Sequence, residues 1–244
     1  MAVTLLCAGE VPEATAAKVR GTVSRLQTQL QADRALLAQS DTTGTDALPQ
    51  TVLARDTIAA AQRVSAVTAA AARTAPALDA AMLDQALGDV AAAGAPPCFA
   101  IAQHGAIAYA LAAQARFPAA DAPNPMAFEL LRSLDAPLAI NGEVGGVAVV
   151  TAMAGGLEAV GIVARSAALA QLCADAIAGA VALPAGELSA EAVWDVLSGG
   201  ARAAAALRSA GHLRAAVLTL RGRGRVIGAL EGDRLLRFGV STWR

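Results

Sequence analysis

Four short stretches of this sequence hold residue types that can do chemistry. The first is Asn141-Gly142-Glu143-Val144-Gly145-Gly146. Asn and Gly tolerate positive φ, and a turn of successive backbone N–H groups can cradle an anion. Asn141, Gly142, Gly145 and Gly146 are therefore candidate ligand-binding residues. Glu143, within the same turn, is a candidate ligand for a cation such as Mg²⁺ accompanying a phosphate. An ordinary β-turn between two strands accounts for the same residues, and no Walker-type lysine follows them.

The second stretch is His104-Gly105, which interrupts a run of apolar residues. Histidine carries protons near neutral pH, so His104 is the candidate catalytic residue. A core histidine bonded to a carbonyl is the plainer alternative. The third is Arg165-Ser166, at the start of an expected helix. Backbone N–H groups there suit a phosphate, and Arg165 adds charge. Ser166 also reads as a simple N-cap, and no G-x-S-x-G surrounds it as a nucleophile would require. The fourth is Arg221-Gly222-Arg223-Gly224-Arg225, three arginines in a turn able to grip an acidic ligand or RNA. No stacking aromatics interleave, which favours a solvated hairpin tip.

These residues need elements to position them. Val3 to Cys7 reads as a strand. Pro12 suits the first turn of a helix reaching about Gln39. A polar loop, Ser40 to Asp46, precedes a helix from Pro49 to about Arg73. Pro76 and Gly94 bracket a further helix, and Cys98 to Ala115 reads as another, apolar nearly all round. Asn124-Pro125 is an N-cap plus N1 pair opening a helix to about Ser133. Val147 to Ala152 and Glu158 to Val163 read as strands rich in β-branched residues. Ser166 and Ser189 cap two more helices, the second ending at Gly211. Leu213 to Leu220, Arg225 to Leu230 and Arg234 to Val240 complete the pattern as a meander. Helices come first and strands later, so the fold class is α+β: Ala-rich helices on a mainly antiparallel sheet, in a single domain over residues 1–244.

Composition narrows the function classes. Hydrophobic residues make up 56% of the 244 and charged residues 16%, against about 25% in ordinary domains. Disorder is excluded, since the apolar content is ample for a core. With a net charge of −1 and no basic stripe, a charge-driven nucleic-acid partner is excluded too. Lys18 is the single lysine among 19 basic residues, a skew that fits a GC-rich genome. The uncharged stretch from Val90 to Ala115 could span a bilayer by length, but Pro96, Pro97, Gln103, His104 and Gln114 argue against a membrane. Met1 to Gly9 does not read as a signal peptide. Cys7, Cys98 and Cys173 form no zinc spacing with His104 or His212 and fit free thiols in a reducing cytosol. The expectation is a soluble cytoplasmic protein.

Three segments in order resemble a known family. Ala81-Met82-Leu83-Asp84-Gln85-Ala86 through Ala91-Ala92-Ala93-Gly94 leads into Gly105-Ala106-Ile107-Ala108. An apolar strand then enters Asn141-Gly142. Last comes Val163-Ala164-Arg165-Ser166-Ala167-Ala168-Leu169-Ala170, followed by Ala174-Asp175-Ala176-Ile177. This order, over roughly residues 76–182, is similar to the uncharacterised ApbE-like proteins, relatives of the bacterial FAD:protein FMN transferases. The resemblance implies an α+β fold with a nucleotide- or flavin-sized cleft, and a flavin nucleotide with Mg²⁺ as its occupant. It does not imply flavin transfer. Tyr109 stands where the family has an acidic residue, and Asn141-Gly142-Glu143 replaces Asn-Gly-Gly-Asp. The segment that follows is also much shorter than in the transferases.

Two function classes follow. In the first, the chain is a small-molecule binding protein, enzyme or not, with its cleft at Asn141–Gly146 and with His104 and Arg165 facing it. In the second, it is a non-catalytic interaction or scaffold protein whose apolar surplus forms a homo-oligomer interface.

Overall fold

The computed structural model describes residues 3–7, 12–39, 75–92, 98–103, 105–111, 124–134, 143–151, 157–181 and 188–230, with the backbone alone for 33–39, 75, 98 and 143. The strands are β1 Thr4–Cys7, β2 Cys98–Gln103, β3 Ala106–Leu111, β4 Glu143–Thr151, β5 Ala159–Ala164, β6 Ala215–Leu220 and β7 Arg223–Ile227. The helices are α1 Glu13–Gln39, α2 Ala75–Ala92, α3 Pro125–Ser133, α4 Ala167–Gly179 and α5 Ala190–Ser209. The expected loop at Ser40–Asp46, the helix after Pro49 and the strand Arg234–Val240 lie outside the described residues. So do His104, Asn141 and Gly142.

The helix boundaries follow from capping. Asn124 accepts a hydrogen bond from Ala127 N at 3.0 Å, and Pro125 supplies the preset φ of the first turn. Ser189 Oγ accepts from Ala192 N at 3.1 Å, and Glu191 places a negative charge in the first turn of α5. The other end of α5 closes on Gly211 at φ +76, with His212 N donating to Leu207 O and Gly211 N to Arg208 O. These two bonds are the Schellman pattern, which needs a residue at ease in the left-handed region.

All the strands join one antiparallel sheet in sequence order, β1 to β7. The fold class is therefore α+β, as expected. Helices cover both faces. On one face α2 lies on β2 and β3, α4 on β4 and β5, and α5 on β6 and β7; α1 packs on α2. On the other, α3 lies on β3, β4 and β5. Strand alternation divides the core accordingly. Phe99, Ile101, Ile162 and Leu218 face the four-helix side, while Ile107, Tyr109, Val147 and Val163 pack with Met126, Phe128 and Leu131 of α3. Among the described residues no helix is long and apolar enough to cross a membrane.

One expected helix is instead a hairpin. Cys98 to Ala115 contains β2 and β3, paired antiparallel with Gln103 opposite Ala106. The physical reason is burial on both faces. A strand covered on both sides reads as a continuous apolar run, and periodicity alone does not separate it from a buried helix.

Candidate functional site

The N-terminus of α4 is where three of the candidate residues, Gly146, Arg165 and Ser166, meet. Ser166 is its N-cap, with extended backbone at φ −154 and ψ 157, and its Oγ accepts from Leu169 N at 3.2 Å. The next partner comes from far along the chain. Asp84, on α2, accepts from Ala167 N through Oδ1 at 2.7 Å and from Ala168 N through Oδ2 at 2.9 Å. Ala170 N donates to Ser166 O at 3.0 Å. A helix start leaves four N–H groups without helical partners. Here the N–H groups of Ala167, Ala168 and Leu169 are taken by Asp84 and Ser166, and Ala170 closes the first turn. The amides expected to hold a phosphate hold this chain's own carboxylate. Arg165, just outside the helix, is exposed.

The glycine-rich stretch is not a turn in its described part. β4 starts at Glu143, so Glu143, Val144, Gly145 and Gly146 stand in extended strand opposite Leu111, Ala110, Tyr109 and Ala108. Successive N–H groups of a strand point to opposite edges and do not converge on an anion. The glycines serve close approach. A side chain at Gly146 would run into Ser166 C and into the N and Cα of Ala167. At Gly145 it would meet the ring carbon and Oη of Tyr109, and Ala164 O at 2.9 Å. Gly146 is thus the seat of the α4 N-terminus, and Gly145 the seat of the Tyr109 phenol. β-Propensity favours Val147 as the strand start, and the sequence has no signal that the glycines before it are there to be overlaid.

Tyr109 is fully buried. Burial raises its ionisation above the usual tyrosine range, while the Arg214 guanidinium draws it down. Cys173 lies in the core of α4, where burial pushes its thiol up to about 12, and Cys7 is half-buried and also raised. A thiol held above its ordinary range is a poor nucleophile near neutral pH. No group of three or more His, Cys, Asp or Glu able to hold a metal occurs among the described residues.

Asp84 brings a pH dependence. Burial pushes its carboxyl from 3.8 up to about 7, against the Ala168 and Ala167 amides and the Ser166 hydroxyl, which pull it down. The folded chain therefore binds this proton more tightly than the unfolded chain, and stability falls with pH wherever that holds. The contribution is whole below the unfolded value near 3.8 and is lost as pH rises through about 7. Asp175, raised by burial to about 6 despite its bond from Gln171, acts in the same direction. The urea midpoint of the wild type is expected to fall between about pH 5 and pH 8, and that of Asp84→Asn to fall less. Equal falls would remove Asp84 as a source of the slope.

The arginine triplet is also rearranged. Its turn is Arg221-Gly222, at φ +49 and +68, while Arg223 to Arg225 belong to β7. Two consecutive left-handed residues are the requirement of a type I′ hairpin turn. Arg221 Nη1 donates to Leu188 O at 3.2 Å, fastening the turn to the start of α5. The stacking aromatic that the local sequence lacks arrives from α5. Trp194 is 40% exposed, and the guanidinium carbons of Arg223 and Arg225 each lie 5.2 Å from its ring centroid.

Asp84 and Trp194 are thus the polar and aromatic positions that sequence motifs did not single out. Asp84 had one signal available: a lone carboxylate in the apolar run Ala80 to Leu87. Trp194 had none, since its partners lie about thirty residues away on another element. Compared with protein-family models and with curated proteins, the chain matches none.

Proposed function

We propose that this chain is a non-catalytic interaction protein rather than a small-molecule enzyme. The observation that carries the reading is the exposed stack of Trp194 with Arg223 and Arg225. Tryptophan and arginine are the residue types most enriched at the energetic centres of protein interfaces. The residues favoured for a ligand cleft support the same reading. Asp84 occupies the amides of α4, and Ala167 lies over Gly146.

Titration of the purified chain with FAD, FMN and ADP, with and without Mg²⁺, separates the two function classes. The expected result is a colourless protein with no saturable change in tryptophan fluorescence. A copurifying flavin band, or saturable Mg²⁺-dependent quenching, would overturn the interaction reading. It would restore the flavin- or nucleotide-sized cleft that the ApbE-like resemblance implies, with Glu143 as the first residue to replace.

A further inference from the structure

We infer that the ridge formed by Trp194, Arg221, Arg223 and Arg225 is a docking surface for an acidic peptide segment of a partner protein. The inference rests on the interaction reading above and names the partner's chemistry.

Arg223 and Arg225 are two residues apart on β7, so they leave the strand on the same side. Both guanidiniums meet one exposed indole at 5.2 Å. A guanidinium lying on an aromatic face still has N–H donors in its own plane, in the fork that matches a carboxylate. Arg221, in the turn before them, is held by its bond to Leu188 O at the start of α5. Like charges side by side repel, so three arginines gathered on one hairpin are at their best with an anion among them.

Between residues 188 and 230 there are six arginines against Glu191 and Asp195, although the whole chain carries a net −1. A peptide fits better than a nucleic acid. Single-strand binders stack successive bases on free aromatic faces along a basic groove. The indole here is already engaged by two guanidiniums, and no second aromatic is stacked on it among the described residues.

The test uses the full chain with Trp243→Phe, leaving Trp194 as the sole tryptophan reporter. The probes are hexaglutamate, hexaglutamine and an oligothymidylate of about eight nucleotides, within the site size of single-strand binders. Hexaglutamate is expected to change the Trp194 emission saturably, and to lose affinity as salt rises from about 0.05 to 0.5 M. Arg223→Gln with Arg225→Gln should weaken it about tenfold or more, the equivalent of about 1.4 kcal/mol. Arg223→Lys with Arg225→Lys keeps the charge without the fork. It should fall between the two, and it serves as the second variant if the glutamine pair fails to fold.

Equal binding of hexaglutamate and hexaglutamine, or unchanged affinity in both double variants, would overturn the inference. So would tighter binding of the oligothymidylate, or a halved mass in light scattering on Trp194→Ala, which would assign the ridge to nucleic acid or to a second copy. These last two outcomes leave the interaction reading standing. Only the flavin and nucleotide titration overturns that.

Discussion

Gly146→Ala is expected to lower the unfolding free energy by about 3 kcal/mol or more, at the severe end for one added methyl group. The new Cβ would meet the backbone of Ser166 and Ala167, atoms no rotamer change can clear. To admit it, α4 must move off β4. That helix is the centre of its layer, with eleven of its thirteen residues buried. Gly88→Ala is the matched control. Gly88 lies on α2 with nothing within 4 Å of a Cβ, so alanine there should stabilise by up to about 1 kcal/mol through helix propensity alone. Urea unfolding of the two variants should therefore give opposite signs. A loss below about 1 kcal/mol for Gly146→Ala would show that the seat of α4 on the sheet is loose.

The second large effect belongs to Asp84. Asp84→Ala removes the acceptor from two N–H groups at once, those of Ala167 and Ala168, in a place where Ala167 is fully buried. A buried N–H left without an acceptor costs about 1–3 kcal/mol, and two are orphaned here. The expected loss is about 2–5 kcal/mol. Asp84→Asn should fall between wild type and alanine. One amide oxygen still accepts, but its NH2 group would face the second donor. If alanine and asparagine were equally mild, at under about 1 kcal/mol, water would be satisfying those amides in place of the carboxylate.

These two residues also mark what a single sequence makes legible. Punctuation read well. Pro12, Asn124-Pro125, Ser166, Ser189 and Gly211 each sit at or beside a helix end, because capping is a local matter of one side chain and its neighbouring amides. Strands with β-branched residues, such as Val147 to Val150, read well too. The hairpin of β2 and β3 did not, since Ala100, Ala102, Ala106 and Ala108 fill both faces with a helix-favouring residue where only tertiary burial selects a strand.

The site was legible only in its position. Gly145, Gly146, Arg165 and Ser166 do gather at one end of α4. What the glycines and amides engage is set by partners far along the chain, Asp84 and Tyr109, and no local pattern encodes that. The same holds at the arginine hairpin, where the turn was visible as a cluster of Gly and Arg but the indole beneath it was not.

Sheet order equal to chain order has a consequence in time. The β2–β3 and β6–β7 hairpins close across two residues, whereas β1 meets β2 after a detour of ninety positions, and Asp84 reaches Ala167 across eighty-three. Loop-closure entropy rises with the logarithm of that separation, so the hairpins nucleate early and the clamp on α4 closes late. An interaction that forms after the rate-limiting step stabilises by slowing escape from the native state. In a chevron plot, Asp84→Ala should therefore lift the unfolding arm and leave the folding arm nearly in place. On that account the carboxylate acts as a latch: its contribution lies in how long the protein stays folded.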